Sequence, residues 1–184
     1  MWSWIKSLFH KQQDQVPDSL KWEWQVQTKT LLIGQLDTLS LAQDVYRLCP
    51  HYNELTYYEK IEVWADLFKW LAYYESGWDP ASASVDVGEK NNKDTWSVGL
   101  LQLSVIDQKN LGLDCGFDYD SLLMPIPNIT LGIAIMANQI KKRGKIFIPI
   151  NESGNPGVYW ATLHPGGKYD KTEEIVRLVN GTRQ

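Results

Sequence analysis

The chain has 184 residues, 43% of them hydrophobic and 22% charged, with a formal net charge of −4. That length suits one domain with one sizeable core, and the balance of apolar and charged residues argues against wholesale disorder. A mildly acidic chain is also a poor partner for nucleic acid.

Residues 1–20 read as an N-terminal arm, an aromatic patch (Trp2, Trp4, Phe9) followed by polar residues, leaving 21–184 as a single domain. The stretch Met1–Lys11 is too short for a secretory h-region and lacks a small-residue cleavage site. The chain therefore either leaves the cytoplasm by another route or lacks a signal that a longer precursor carries. No run reaches the length of a membrane span, so stable membrane insertion is not expected. From Leu20 to Leu48, the apolar positions Leu31, Leu32, Leu36, Leu39, Leu41, Val45 and Leu48 predict one or two scaffold helices.

Thr56-Tyr57-Tyr58-Glu59 fits a capping box, in which a hydroxyl and a carboxylate reciprocally satisfy orphan backbone donors. Behind it Ile61, Trp64, Leu67, Phe68, Leu71 and Tyr74 recur at helical spacing, predicting a buried helix from Tyr57 to Tyr74 or Glu75. Glu75 continues the buried stripe four residues past Leu71, and Gly77 and Pro80 stop the helix just beyond it. An unpaired carboxylate is expensive there and needs a partner or a purpose. Held among rings such as Tyr74 and away from water, its pKa would rise, as an acid catalyst near neutral pH requires. The plainer alternative is a helix-terminal Glu turned to solvent.

Pro80 to Trp96 is polar and turn-rich, a loop or small irregular β hairpin at the mouth of a cleft. Ser97 to Val105 is apolar apart from Gln102, which must hydrogen-bond either to backbone or to a substrate amide or hydroxyl. A short helix or turn follows over Asp107–Leu113, then loop from Cys115 to Pro127. Ile129 to Arg143 reads as a second buried helix with Gly144 behind its basic last turn. Val158–Leu163 is a short aromatic element, followed by a turn at Pro165-Gly166-Gly167. Asp170-Lys171-Thr172-Glu173 has the pattern of another capping box, opening a last helix through Val179. The sum is an α+β chain, mainly α-helical.

Cys49 and Cys115 lack CxxC spacing; they are either a disulfide pair or two thiols. His10, His51 and His164 are scattered without metal-ligand spacing, and neither a GxSxG elbow nor a Walker-type loop is present. No metal and no cofactor are expected. A carboxylate among aromatic rings, which can stack on sugar faces, points to cleavage of a glycosidic bond.

Glu75-Ser76-Gly77-Trp78-Asp79-Pro80, Ser84 nine residues after Glu75, and Gly99-Leu100-Leu101-Gln102 together resemble the signature of the soluble lytic transglycosylase and goose-type lysozyme superfamily. Asn128-Ile129 and Gly157-Val158-Tyr159-Trp160-Ala161 extend the likeness, which spans about Leu55 to Leu163. The resemblance implies a lysozyme-like fold with a small irregular β region beside the cleft, and Glu75 as acid/base. It also implies Ser76, Ser84, Gln102, Tyr74 and Tyr159 in supporting or substrate-binding roles, with Tyr159 against the Glu75 carboxylate. The implied substrate is the peptidoglycan glycan strand, cut between N-acetylmuramic acid and N-acetylglucosamine by a monomer in the periplasm or outside the cell. Three departures stand out: a longer insert between Ser84 and Gly99, Leu101 in place of Met, and no Asn-x-Gly after Tyr159. The insert carries Asp86, Glu89 and Asp94, each a candidate second carboxylate, and with the chain's ending resembles a lysozyme-like branch in predatory bacteria. The competing expectation is a catalytically weak glycan-binding or structural module of a secretion or phage apparatus.

Overall fold

The structure, a computed structural model, describes residues 18–85, 91–113, 115–149 and 159–181. The arm at residues 1–17, Asp86, Glu89 and the start of the 158–163 element lie outside them. Seven helices and one two-stranded sheet are present among the described residues: α1 (Asp18–Ile33), α2 (Leu36–Leu39), α3 (Tyr57–Ser76), β1 (Ala83–Ser84), β2 (Ser97–Val98), α4 (Val105–Asn110), α5 (Tyr119–Leu122), α6 (Pro125–Arg143) and α7 (Thr172–Gly181). Short 3₁₀ turns at Val45–Arg47, Tyr52–Glu54, Lys93–Thr95 and Ala161–Leu163 fill the connections. This is a mainly helical α+β arrangement with a very small sheet.

The central helix forms where its sequence pattern places it. Glu59 reaches back to the Thr56 amide at 2.7 Å, and the Thr56 hydroxyl accepts from the Glu59 amide at 3.4 Å, closing the capping box. Its stripe of Ile61, Trp64, Leu67, Phe68 and Leu71 is buried. α1 packs on both α3 and α6, α7 packs on α3, and α2 and α5 pack on α6, so α3 and α6 share the core. The Trp64 indole is fully buried yet satisfied, donating to the Tyr52 hydroxyl at 2.8 Å, as a buried N–H requires.

Either side of the insert, β1 and β2 pair antiparallel, one of the two expected forms, with Ala83 opposite Val98 and Ser84 opposite Ser97. β2 then folds back tightly, because the Val98 and Leu103 backbones exchange hydrogen bonds of 2.9 and 3.0 Å across Gly99-Leu100-Leu101-Gln102. One buried side chain holds that loop. Asn128, fully buried on α6, accepts from the Leu101 amide and donates to the Val98 and Leu122 carbonyls, each at 2.9 Å. Gly99 makes this possible: its φ is +76°, and a Cβ there would stand 2.3 Å from the Asn128 amide nitrogen. Gly132 on α6 likewise leaves room for the Leu101 side chain.

Two sequence expectations need correction. The second long helix begins at Pro125, not Ile129, and a helical turn (α5) precedes it inside the segment read as loop. Proline lacks the amide that the first turn leaves unsatisfied, so Pro125 starts a helix instead of blocking one. The Asp170–Glu173 capping box forms only by half: Asp170 accepts from the amides of Thr172 and Gly166, both at 2.8 Å, and Glu173 pairs with Arg47 at 2.6 Å. Of the two alternatives for Cys49 and Cys115 the structure shows thiols, with Cys49 packed into the core beside the Val45–Arg47 turn.

Replacing Asn128 by Ala strands the Leu122 carbonyl and the Leu101 amide in the core, while the Val98 carbonyl keeps the Leu103 amide. We expect a loss of about 3 kcal/mol, with each unsatisfied buried group costing about 1–3 kcal/mol. The urea midpoint should fall with an unchanged m-value; a change within error would show that the loop holds without it.

Candidate active site

α3 ends abruptly because two successive residues adopt the left-handed conformation. Gly77 has φ +67° and Trp78 φ +63°. The Gly77 amide bonds to the Tyr73 carbonyl at 3.0 Å, the 5→1 bond of an αL cap, and the Trp78 amide adds a bond to the Ala72 carbonyl at 3.3 Å. Glycine accepts that backbone freely, whereas tryptophan does so only when held. Trp78 is held: its indole folds back on α3 and donates to the Lys69 carbonyl at 2.9 Å, with ring centroids 5.0 Å from Tyr73 and 6.0 Å from Trp70. Glu75 is thereby fixed in the last turn while the chain leaves at once.

The Glu75 residue is half-buried, with its carboxyl group crowded by protein. Burial pushes its pKa from 4.5 up to about 7, against a smaller opposing effect of a hydrogen bond from Thr162. The C-terminal end of α3, the negative end of the helix dipole, also disfavours negative charge there. The Thr162 hydroxyl donates to Glu75 Oε1 at 2.6 Å. Thr162 sits in the Ala161–Leu163 turn, anchored by the buried Trp160 indole, which donates to the Leu101 carbonyl at 2.9 Å.

The other named residues fall into three places. Tyr159 directs its hydroxyl to Asp107 at 2.7 Å, and Asp107 also accepts from Ser104 at 2.6 Å. Burial and then the charge of Asp107 hold the Tyr159 phenol well above its ordinary pKa; Glu75 adds a smaller push in the same direction. The Gln102 amide donates to the carbonyls of Gly99 at 2.9 Å and Ser82 at 3.2 Å, tying the loop to the hairpin. Its φ of +49° marks a strained position at the end of that loop. Ser76 is buried and donates to Ala72 of its own helix at 3.1 Å, while Ser84 is exposed on β1. Tyr74 faces α7, its ring 5.9 Å from the Lys171 ammonium, and burial raises its pKa. Asp94 is paired on the surface with Lys109 at 3.4 Å.

The sequence did not single out Thr162, Asp107 or Gln139. Gln139 bridges the Lys145 and Ile146 carbonyls and accepts from the Tyr159 amide at 3.3 Å, placing Tyr159 from α6. Asp107 had a readable signal, since Ser104-x-x-Asp107 is an N-cap pattern: Ser104 accepts from the Asp107 amide at 3.2 Å. Thr162 had none, being 87 positions from Glu75. A cavity of about 450 Å³ lies elsewhere, between α1 and α3, lined by Trp24, Phe68, Ala72 and Trp78 among others. Its lining includes neither Glu75 nor Thr162, so the chemistry points to the helix end and not to this cavity.

A mainly helical core with one small two-stranded sheet is the architecture of a lysozyme-like protein. The Transglycosylase SLT domain model matches residues 54–155, and the chain belongs to that family. Membership gives it a lytic-transglycosylase type of role on peptidoglycan. Among solved structures it is similar to a glutamate-to-glutamine mutant of Bd0314 DslA (26% identity over 92% of this chain and 93% of that one, TM-score 0.73). It is similar also to wild-type Bd0314 DslA in its form 2 (25% identity, 92% and 93% covered, TM-score 0.73). A second glutamate-to-glutamine mutant of Bd0314 DslA matches at 24% identity, 94% of each chain and TM-score 0.73. No curated protein matches the chain in sequence.

The raised acid has a consequence for stability. The folded protein binds the Glu75 proton more tightly than the unfolded chain does. The stability this contributes is fully present below about pH 4.5 and is lost as pH rises through about 7. Glu75→Gln cannot ionise, so it should match wild type in acid and exceed it above pH 7, by roughly 3 kcal/mol at most. Urea midpoints on both sides of the window check this, and a gap that stays constant with pH would contradict it.

Proposed function

We propose that this protein cleaves the β-1,4 bond between N-acetylmuramic acid and N-acetylglucosamine in peptidoglycan, with Glu75 as general acid and then base. The observation that carries this is the placement of Glu75: fixed at the end of α3 and hydrogen-bonded at one oxygen, with burial raising its pKa to about 7. Protonated Glu75 donates to the glycosidic oxygen as the C1–O bond breaks, leaving an oxocarbenium-like sugar. The carboxylate so formed takes the proton of the muramic 6-hydroxyl, which closes on C1 to give a 1,6-anhydro end. This outcome needs one carboxylate only, and it accords with the family's transglycosylase character. The substrate implies action in the periplasm or outside the cell; among the described residues no helix is long and apolar enough to cross a membrane. The enzyme acts as a monomer on glycan strands.

A second reading, hydrolysis, is favoured by one observation. The glutamates substituted in the two Bd0314 DslA mutants stand eleven positions apart, as do Glu75 and Asp86. A carboxylate about 6.5–9.5 Å from the acid would activate water and give inversion. Of the three insert carboxylates, that spacing singles out Asp86 over Glu89, and Asp94 is engaged with Lys109.

Glu75→Gln should lower the rate of clearing purified cell wall by about 10²–10⁴-fold, the usual worth of a positioned acid. Wild-type activity should fall as pH rises through about 7, where Glu75 loses its proton. Product masses separate the outcomes: anhydro ends mean transglycosylation, whereas reducing ends that vanish in Asp86→Asn mean hydrolysis. Near-normal clearing by Glu75→Gln would remove the acid assignment. Binding to cell wall without any cleavage by wild type would instead make the domain a glycan-binding module.

A further inference from the structure

We infer that Thr162 is a positioning residue for Glu75, tethering one carboxyl oxygen so that the other is presented to the glycosidic bond. The inference rests on the reading of Glu75 as the acid. Thr162 is buried, and its hydroxyl makes the 2.6 Å bond to Oε1. A hydroxyl has a single hydrogen to give, so committing it to Oε1 fixes both side chains relative to one another.

The tether is rigid because the backbone beneath it is clipped on several sides. The Leu163 amide donates to Trp160 at 3.0 Å and the Lys171 amide to the Thr162 carbonyl at 2.8 Å, joining the turn to the lead-in of α7. The Trp160 indole joins it to Leu101 and so to the loop closed by Asn128. Glu75 has no comparable support from its own helix neighbour, since Ser76 turns its hydroxyl back to Ala72. With Oε1 held, the acidic proton resides on Oε2. It passes to the glycosidic oxygen as the C1–O electron pair moves onto that oxygen. The Thr162 hydrogen bond then strengthens against the carboxylate left behind, as bonds to charged acceptors do. Tyr159, with Asp107 behind it, is the neighbouring titratable group from outside α3, and the substitutions below leave both in place.

The test uses the full chain on purified peptidoglycan, comparing wild type with Thr162→Val, Thr162→Ser and Glu75→Gln. Thr162→Val keeps the shape and removes the hydroxyl. Its kcat should fall about 10-fold or more, since slight misplacement of a catalytic group is costly, with KM little changed. Its basic limb should also move to higher pH, because a hydrogen bond that favours the charged form is gone. Thr162→Ser should restore both. Unchanged kcat and pH profile in Thr162→Val overturns the inference while leaving Glu75 as the acid, provided Glu75→Gln is inactive. A loss that leaves the pH limb in place, or that Thr162→Ser shares in full, marks Thr162 as merely structural and overturns it too. Should Thr162→Val not fold, the Ser variant decides alone, with retained rate and pH limb expected. Activity in Glu75→Gln overturns the inference and the acid reading together.

Discussion

A carboxyl group kept largely from water at the negative end of a helix is a liability that the fold accepts. Burial lifts Glu75 to about 7, and the helix end adds to the reluctance to ionise. Everything nearby answers to that placement. The left-handed pair Gly77 and Trp78 ends α3 one residue after Ser76, so that Glu75 is neither inside a continuing helix nor on a loose loop. The stack of Trp70, Tyr73 and Trp78 makes the strained tryptophan affordable, because its indole bonds and ring contacts hold a backbone angle that a free residue would leave.

The site's other half is built by buried polar side chains instead of by hydrophobic contact alone. Asn128 shapes the Gly99–Gln102 loop, Gln139 positions the backbone at Tyr159, and Asp44 caps the Ile146 and Phe147 amides at 2.8 and 2.9 Å. Each spans segments distant in sequence, and each is fully directional where a leucine would not be. A polar group in a core specifies one arrangement because alternatives leave it unsatisfied. That is the property needed to hold Thr162 within hydrogen-bond reach of Glu75 across 87 positions of chain.

How far the sequence revealed this depended on whether the signal was local. Both ends of α3 could be read, because a capping box and a glycine act within one turn. The close of α6 at Gly144 could be read for the same reason. Its start could not: Pro125 and Pro127 look like loop until the proline is placed in a first turn, where its missing amide is harmless. The pattern at Asp170–Glu173 matched a capping box, but only half of it forms: Asp170 takes the Thr172 amide, along with that of Gly166, while Arg47 from far away claims Glu173. Glu75 was found because a carboxylate on a buried stripe is anomalous on local grounds. Thr162 and Gln139 were not, because a threonine in a short turn and a glutamine on a buried helix look ordinary until tertiary contacts give them partners.

The distribution of hydroxyls around Glu75 bears on how the chemistry would be tuned. Ser76, adjacent in sequence, spends its hydroxyl on its own helix, and Ser84 stands exposed on the hairpin. The hydroxyl on the acid comes from Thr162, in a turn whose backbone is tied to α7 and to the Asn128-closed loop. A donor on so constrained a turn loses little freedom in making its bond, whereas one on an exposed two-residue strand would have to be ordered first. Desolvation sets the acid high and a single neutral donor draws it part of the way back. The two opposed effects leave Glu75 able to give its proton near neutrality and still to survive as a carboxylate once it has done so.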